Sequence, residues 1–289
     1  MSDARTASQR WKVGSATITS VVDDETFGPL EFLLPEATVE MVRRQPWLIP
    51  ECADDEGNIA LRVQAFVVEI DGRTVLVDPC VGNGKARWLP MWNLLDTPWL
   101  ERLADAGFTP FEVELVVHTH LHADHVGWDT HRVGDAWVPT FTNARHLYTA
   151  AELEFVQTFL FPGEDVYGDS IGPVFDAGLA DVVEPDADLG SGLRLESTPG
   201  HTPGHTSLWL ESDGEVALIT GDFMHHQLQF AEPQLAEIAD ADADLARETR
   251  ARMLRELART GALVLGTHFP SRPAGRVVAV GAAWRFVAE

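Results

Sequence analysis

The sequence predicts a layered α/β protein, and three observations lead to that prediction. Apolar, β-branched segments of strand length occur in two runs along the 289 residues, with helical patterns interspersed in each run. The unusual polar residues come directly after predicted strands, which is typical of α/β proteins whose site lies along the strand ends. The content of 45% apolar and 23% charged residues is ordinary for a globular protein with a sizeable core.

The first run begins with residues 11–23, an alternating β-branched segment that predicts one strand. Residues 24–60 contain several prolines, two acidic clusters and aromatic side chains. They predict a long, partly helical excursion, because linkers seldom carry such aromatics. Residues 61–79 predict two strands joined at Asp71-Gly72, a dipeptide typical of tight hairpins.

A Gly- and Trp-rich loop over residues 82–95 is followed by a predicted helix over 97–107, which ends at Gly107. Residues 111–120 then form an apolar segment that predicts a strand. Short strands follow up to about residue 180, together with a helix near 149–161. The first run therefore predicts a sheet whose strands alternate with helices.

The second run of strands surrounds one long predicted helix over residues 244–261. Asp244 is the predicted N-cap of this helix, and Gly261 is predicted to end it. The predicted strands of this run lie within residues 193–212, 215–222, 262–268 and 275–287. No repeat or composition break divides the chain, so we predict a single domain over residues 1–289.

The formal net charge of −24 excludes some classes of partner. Nucleic-acid binding needs clustered Lys and Arg, and anionic lipid repels an acidic surface, so we expect neither partner. Residues 1–20 hold no signal-peptide core, and no later window approaches the roughly 18 apolar residues of a membrane span. The two cysteines, Cys52 and Cys80, predict buried or half-exposed thiols. We therefore predict a cytoplasmic protein.

Three histidines and an aspartate lie within six residues at the end of the strand predicted over 111–120, as His120, His122, Asp124 and His125. On an extended segment, alternation turns His120 and His122 to one side, so two imidazoles can meet one metal ion. A turn after His122 can direct Asp124 and His125 towards a second position. Adjacent imidazoles without a metal would repel one another when protonated and be poorly satisfied when buried. The pattern therefore predicts a metal site for zinc, iron or manganese.

Three further candidate ligands follow later strands. His201 lies in TPGHTPGH (198–205), a tight Pro/Gly turn where the backbone is fixed. Asp222 follows the strand of ITGD, and His268 follows the strand of LGTH. Each alone is typical of a turn or of a hydrogen-bonded structural residue. Together they supply the ligands that the histidine cluster lacks.

The motifs together resemble those of the metallo-β-lactamase-fold hydrolase superfamily, over residues 12–287. In chain order, the motif residues are Asp78 after the second strand of the Asp71-Gly72 hairpin, HLHADH, His201 in PGHTPGH, Asp222 in TGD and His268 in GTHFP. The resemblance implies an α/β fold of four layers, an αβ/βα sandwich, with the metal ions in the cleft between the sheet edges.

The resemblance also implies two divalent ions as cofactors, with zinc favoured and manganese or iron as alternatives. One ion would be held by His120, His122 and His201. The other would be held by Asp124, His125 and His268. Asp222 would bridge the two.

The resemblance suggests roles for three other groups. Asp78 is expected to order a ligand histidine or a loop backbone. Asp124 is placed to accept or pass the proton of the nucleophile. In lactonases of this superfamily, a tyrosine three residues after the bridging Asp222 position contacts the substrate carbonyl. This chain has His225 there, which we predict to be catalytic as a hydrogen-bond donor.

The implied activity is hydrolysis by a hydroxide that two metal ions share, because coordination brings the pKa of water close to neutrality. The GTHFP ending and the long excursion resemble lactonases and organophosphate hydrolases most. We therefore predict hydrolysis of a small ester or lactone, with a phosphotriester or a thioester as the alternative substrate. A mononuclear iron persulfide dioxygenase and a non-catalytic binding module are more remote alternatives.

Secondary expectations concern the surroundings of the site. We expect some of the loop aromatics to line an apolar pocket for a small-molecule substrate. The excursion over 24–60 is predicted either to cover the site or to form a homodimer contact. His205 is expected to support its turn, and His118 and His131 to be structural or solvent-facing. The loop aromatics are Phe27, Trp47, Trp88, Trp92 and Trp128. The acidic run predicted to be a solvated helix start is Asp240, Asp242 and Asp244.

Overall fold

A computed structural model of the protein describes residues 6–158, 161–281 and 283–289. The chain divides into two compact units. Unit 1 comprises Met1–Asp24 and Val63–Ala187, and unit 2 comprises Glu25–Arg62 and Asp188–Glu289. Residues 1–5, which belong to the segment without a predicted signal peptide, lie outside the described residues. The single domain over residues 1–289 stays a prediction.

The secondary structure of the described residues is mixed α/β. The strands are β1 (Arg10–Val13), β2 (Ala16–Pro29), β3 (Asn58–Ile70), β4 (Arg73–Val77), β5 (Leu115–Val117), β6 (Thr130–Val133), β7 (Ala136–Pro139), β8 (Arg145–Thr149), β9 (Ala180–Val183), β10 (Asp188–Gly190), β11 (Leu193–Ser197), β12 (Thr206–Ser212), β13 (Glu215–Ile219), β14 (Leu263–Leu265), β15 (Ala274–Val280) and β16 (Ala283–Ala288). The α-helices are α1 (Leu30–Leu33), α2 (Val39–Arg43), α3 (Trp99–Asp105), α4 (Ala123–Val126), α5 (Ala150–Thr158), α6 (Gly172–Asp176), α7 (Leu228–Ala231) and α8 (Ala243–Thr260). Short 3-10 turns cover Pro46–Leu48, Gly127–Asp129 and Gly221–Phe223, and a π-helical turn covers Tyr167–Ile171.

Unit 1 is built on a seven-stranded sheet in the order β1-β2-β3-β4-β5-β8-β9. The pairs β1–β2 and β3–β4 are antiparallel, whereas β4, β5, β8 and β9 run parallel. The interior strand β5 is buried throughout, as expected for a parallel strand covered on both faces. One core cluster contains Trp99 and Leu103 of α3 with Val116, and another contains Leu121 and Tyr148.

The first strand prediction is wrong in one respect. Residues 11–23 form a hairpin of β1 and β2, because Gly14 takes a positive φ of 56° and turns the chain. The hairpin predicted at Asp71-Gly72 is confirmed, with positive φ values of 50° and 78° at its two turn residues. The helix predicted near 149–161 is α5, and residues 159 and 160 lie outside the described residues.

Unit 2 is built on a second seven-stranded sheet in the order β10-β11-β12-β13-β14-β15-β16. All neighbours are antiparallel except β13 and β14, which run parallel. The long helix α8 buries Met253, Leu254 and Leu257 in a core cluster that also contains Phe230 and Phe269. Burial of each such side chain stabilises the unit by about 1.5–3 kcal/mol.

The N-cap of α8 is Asp242, so the prediction of Asp244 is wrong. Asp242 has extended backbone angles, and its side chain accepts a hydrogen bond from the N–H of Leu245. Asp244 lies one residue inside the helix. The predicted end at Gly261 is confirmed, because this glycine takes the left-handed conformation with a φ of 67°.

The excursion over residues 24–60 is partly helical, as predicted, and all of it from Glu25 onward belongs to unit 2. It has a small core of its own, in which Leu30, Val42 and Leu48 pack with Leu228 of α7. Nε2 of His226, the second residue before α7, also donates a hydrogen bond of 2.9 Å to the carbonyl of Cys52 in the excursion. These contacts fix the excursion onto unit 2; its roles as a cover or a dimer contact stay predictions.

No helix among the described residues is both long and apolar enough to cross a membrane. Cys52 and Cys80 are both buried thiols, as the sequence predicted.

Candidate metal centre

In unit 1, two parallel strands deliver polar residues to one edge of the sheet. Val77 of β4 pairs with Val117 of β5, so the residues that follow both strands emerge side by side. The backbone N–H of Asp78 closes this junction with a 3.0 Å hydrogen bond to the carbonyl of Val117. The histidine cluster follows at once, and His122 is the residue before helix α4.

The structure brings the four predicted ligands of unit 1 together. The ring centroids of His120 and His122 lie 4.6 Å apart, and those of His120 and His125 lie 4.0 Å apart. Nε2 of His125 lies 3.5 Å from a carboxylate oxygen of Asp124. His120, Asp124 and His125 are buried, and His122 is half-buried.

Asp78 orders this cluster, as predicted. One of its oxygens accepts the N–H of Thr119 at 2.8 Å. The other accepts the Thr119 hydroxyl at 2.8 Å and lies 3.0 Å from Nδ1 of His125. Because the Thr119 hydroxyl donates to Asp78, it accepts from Nδ1 of His120 at 3.1 Å. The imidazole of His120 is thereby held as the tautomer whose Nε2 is the acceptor nitrogen, the form that binds a metal.

In unit 2, the parallel strands β13 and β14 likewise bring polar residues to one edge of their sheet. Ile219 of β13 pairs with Leu265 of β14, so Asp222 and His268 follow at the same edge. His201 comes from the turn between β11 and β12. One carboxylate oxygen of Asp222 lies 3.2 Å from Nε2 of His268 and 3.6 Å from Nε2 of His201. Nε2 of His225 lies 3.1 Å from that same oxygen.

The imidazoles of unit 2 are also held through Nδ1. Nδ1 of His268 donates to the carbonyl of Arg62 at 2.7 Å, and Nδ1 of His201 donates to Asp240 at 3.0 Å. Each then presents Nε2 as its acceptor nitrogen. His205 accepts the N–H of Asp222 at 2.7 Å, which confirms the prediction that it supports the local backbone.

The donor groups of unit 2 fit a divalent metal. In unit 2, the ligand atoms of His201, Asp222 and His225 all lie within 4.8 Å of one another. Nitrogen-to-oxygen separations of 3.1–3.6 Å around Asp222 are those expected between neighbouring ligands whose bonds to one ion are about 2.0–2.2 Å. Imidazole and carboxylate donors suit zinc, iron and manganese alike.

Buried acids shape the charge around His201 and His225. Burial disfavours a charged imidazole, yet the carboxylates of Asp222, Glu237 and Asp240 outweigh it and raise the pKa of His225 to about 9. Burial raises the pKa of Glu237. For Asp240, burial acts in the same direction, but the hydrogen bond and charge of His201 prevail and lower its pKa. This pocket of unit 2 therefore favours cations.

A second histidine–carboxylate cluster in unit 1 is structural. Asp129 accepts from Nε2 of His118 at 2.9 Å, from Nδ1 of His146 at 3.1 Å and from the Tyr148 hydroxyl at 3.1 Å. Nδ1 of His118 donates to the carbonyl of Leu147, so both of its nitrogens act as donors. Burial disfavours the charged form of both residues, but their ion pair and hydrogen bonds outweigh it. The pKa of His118 is therefore raised and that of Asp129 is lowered. His118 is thus structural, as predicted.

The sequence patterns did not show the role of some residues around the site. Asp240 was predicted to be solvated, and this is wrong, because its side chain is only 1% exposed and contacts His201. Asp242 and Asp244 of the same run are exposed, as predicted. Asp129 and His146 carried no signal beyond ordinary polar residues. Their partners come from separate strands and loops, so only the fold reveals the cluster.

The apolar pocket beside the cluster of unit 1 is lined mainly by other aromatics than those predicted. Phe155 and Phe161 line it together with His122, and Glu164 is its acid. Trp88 stacks on Phe161 with ring centroids 5.2 Å apart, whereas Trp128 is buried in the core of unit 1. The sequence predicts that Phe155 lies in a helix. The hydrophobic pattern does not show on which side of that helix its ring lies.

A model of the metallo-beta-lactamase superfamily matches residues 59–268 of this chain. Among curated relatives, the N-acyl homoserine lactonase AttM of Rhizobium johnstonii is 30% identical over 189 residues, which are 62% of this chain and 68% of the relative. Other matched N-acyl homoserine lactonases are covered less, down to 38% of an enzyme from Bacillus sp.. The chain thus spans about half the length of the curated relatives it matches.

Two solved structures resemble the whole chain. The hydrolase AbOPH of the beta lactamase superfamily has a TM-score of 0.82 at 22% identity, with 99% of both chains covered. AidC, a dizinc quorum-quenching lactonase in complex with a product, N-hexanoyl-L-homoserine, has a TM-score of 0.81 at 19% identity, again with 99% of both chains covered. At this identity the likeness concerns the fold, and it confirms the predicted α/β fold class.

Proposed function

Because the chain belongs to the metallo-β-lactamase superfamily, we propose that it is a metal-dependent hydrolase of a small ester or lactone. Matched relatives that are N-acyl homoserine lactonases support a lactone substrate. One structural observation carries the proposal. Three buried histidines are each held through Nδ1, so that Nε2 of the neutral imidazole is the acceptor nitrogen: His120 in unit 1, and His201 and His268 in unit 2.

The proposal includes a ligand assignment, which the family pattern supports. One divalent ion would be held by His120, His122 and His201. The other would be held by Asp124, His125 and His268, with Asp222 as a ligand of both. Zinc is the favoured metal, since the solved lactonase AidC is a dizinc protein, and manganese or iron suits the same donors.

When bound, two such ions lower the pKa of water and polarise the oxygen that becomes negative. The side chains supply the remaining chemistry. Asp124 accepts and passes the proton of the attacking water. His225 donates a hydrogen bond to the carbonyl oxygen of the substrate; its imidazole can act as a donor, and its Nε2 lies 3.1 Å from a carboxylate oxygen of Asp222.

The pocket beside His122 supports an apolar substrate group. Its wall consists of Phe155, Phe161 and aliphatic side chains, and its cavity measures only about 20 Å³, so the wall favours contact with an apolar group of the substrate and does not enclose it. The half-buried Glu164 is the acid of this pocket, and burial raises its pKa. A neutral substrate suits this wall better than an anionic one.

The test is a substrate panel for the purified protein loaded with zinc or manganese. The panel holds an N-acyl homoserine lactone, an aryl ester, a thioester, a phosphotriester and a β-lactam. We expect lactone or ester hydrolysis with a kcat/KM at least 100-fold above that of the His120→Ala variant. The matched control is His131→Ala, because His131 hydrogen-bonds Thr140 outside both ligand sets and its loss should leave kcat/KM within about twofold.

Other outcomes decide among the alternatives. Preference for the phosphotriester or thioester would transfer the assignment to those substrates, which the same metal-activated water can attack. A stoichiometry of one iron per chain favours the persulfide dioxygenase. Activity that survives complete metal removal, verified by elemental analysis, rejects the proposed function. The cytoplasmic location stays a prediction.

A further inference from the structure

A buried carboxylate lies directly behind His201 in unit 2. Oδ1 of Asp240 accepts from Nδ1 of His201 at 3.0 Å, and the side chains of both residues are 1% exposed. A hydrogen bond to a charged group in such a dry place is about twice as strong as a neutral one. The imidazole of His201 therefore has a single preferred orientation.

Asp240 is itself held on its other oxygen. Oδ2 accepts the backbone N–H of Glu237 at 2.9 Å and lies 4.0 Å from a guanidinium nitrogen of Arg250. Arg250 is fully buried and donates to the carbonyls of Phe223 and Leu235 at 2.9 and 2.8 Å. The carboxylate is thus placed by a frame that reaches from the residue after Asp222 to helix α8.

The backbone of the same loop is fixed to the turn that carries His201. The N–H of Ala241 donates to the carbonyl of His201, and the N–H of Asp242 donates to that of Gly200, both at 2.9 Å. These two bonds use no side-chain atom of Asp240. A substitution of Asp240 therefore leaves these two backbone bonds intact. It removes the contact of Oδ1 to the imidazole and, unless the new side chain keeps an acceptor, the bond from the N–H of Glu237.

We propose that Asp240 is a positioning residue for His201, which aims Nε2 of that histidine at a metal ion and strengthens its binding. The inference rests on the proposed function, in which His201 is a ligand. A carboxylate that accepts the Nδ1–H of a ligand imidazole fixes the tautomer and makes Nε2 a stronger metal ligand. The loss of such a partner costs about 10–100-fold in metal affinity.

Glu237 does not share this role. Its carboxylate lies 3.7 Å from Nδ1 of His201, beyond hydrogen-bond distance, and accepts the N–H of Ala239 at 2.6 Å instead. Glu237 therefore places a carboxylate near the imidazole of His201 but forms no hydrogen bond that would orient the ring. Glu237→Gln is therefore a useful comparison, because it removes charge and keeps the geometry of Asp240.

The experiment measures zinc affinity by competition with a chromophoric chelator, and the visible spectrum of the cobalt-loaded protein. We expect Asp240→Asn to weaken one of two bound ions 10- to 100-fold and to change the cobalt spectrum, with the other ion within about twofold. The asparagine keeps one acceptor for the loop N–H, so the fold is retained. Asp242→Ala is the matched control in the same loop and should leave both affinities unchanged.

A double-mutant cycle tests whether Asp240 acts through His201. On a His201→Ala background, Asp240→Asn should have no further effect on zinc affinity, since the partner it positions is gone. Equal effects in both backgrounds, or two ions bound by Asp240→Asn as tightly as by the wild type, overturn the inference alone. A folded wild type that binds no divalent ion overturns the proposed function as well.

Discussion

A buried carboxylate stands behind a candidate ligand histidine in each unit, but the two carboxylates are held differently. Asp78 of unit 1 accepts from the N–H and the hydroxyl of Thr119, and one of its oxygens lies 3.0 Å from Nδ1 of His125. Asp240 of unit 2 accepts from one imidazole and from the N–H of a neighbour in its own loop. Asp78 therefore fixes the backbone that carries the ligands, whereas Asp240 fixes a single side chain. We expect Asp78 to be needed for folding and Asp240 mainly for metal binding.

The largest expected effect separates these two acids. In Asp78→Ala, the N–H and the hydroxyl of Thr119 both lose a buried acceptor, and each such loss costs about 1–3 kcal/mol. The free energy of unfolding of the metal-free protein should fall by about 4 kcal/mol, against about 2 kcal/mol for Asp240→Ala. Urea denaturation followed by circular dichroism measures both. An equal or larger loss for Asp240→Ala would reverse the comparison.

The turn that carries His201 gives the next largest effect. Gly200 has a φ of 134°, and a β-carbon there would lie 2.3 Å from the backbone nitrogen of Ala246 in α8. Gly200→Ala should therefore cost about 3 kcal/mol, as strain and overpacking act together. It should also weaken zinc binding, because the turn moves away from α8.

The matched control for that change is Gly214→Ala. Gly214 also has a positive φ, of 79°, but a β-carbon there meets nothing within 4 Å. Only the backbone strain remains, which costs about 1 kcal/mol. Similar losses at both glycines would show that the contact with α8 does not matter.

The family resemblance pointed to Asp78, and Asp240 was missed for a physical reason. Asp78 is part of an ordered motif directly after a strand, whereas no motif includes Asp240. Asp240 belongs to an acidic run whose other members, Asp242 and Asp244, are exposed. Its burial comes from packing against His201, 39 positions earlier in the chain. Local pattern carries no trace of such a contact.

The same distinction holds for the fold. Strand ends and glycine stops, as at Gly261 and at Asp71-Gly72, were predicted, because they depend on local conformation. The cluster around Asp129 was not, because its partners come from β8 and from the segment before α4. The ligand residues were predicted as a set only through their family resemblance.

The frame that holds Asp240 predicts a weaker, pH-dependent effect. His226 contacts Gln229, whose side chain donates to the carbonyl of Leu235, which Arg250 also contacts. Burial lowers the pKa of His226 from 6.5 to about 4. Nδ1 of this imidazole accepts the N–H of Leu228, so the folded state requires the neutral form.

Because the folded pKa lies below the unfolded one, stability is full above pH 6.5 and falls as the pH falls. Between pH 7 and pH 5, His226 should account for a loss of about 2 kcal/mol. Over that range, the free energy of unfolding of His226→Gln should fall by about 2 kcal/mol less than that of the wild type. Urea denaturation of both proteins at each pH measures the difference. Parallel curves for the two proteins would contradict a neutral buried His226.

The smallest expected effect concerns the helix that follows Asp240. Asp242 caps α8 by accepting the N–H of Leu245 at 3.0 Å, so Asp242→Ala should lower the free energy of unfolding by about 1 kcal/mol. Asp244 lies inside the first turn and pairs with Arg247 at the surface, and its loss should cost only about 0.5 kcal/mol. Thermal and urea denaturation of both variants measure the difference. A larger loss for Asp244→Ala would move the cap to Asp244, and an altered zinc affinity in Asp242→Ala would mean that the loop positions His201 through its backbone and not through Asp240.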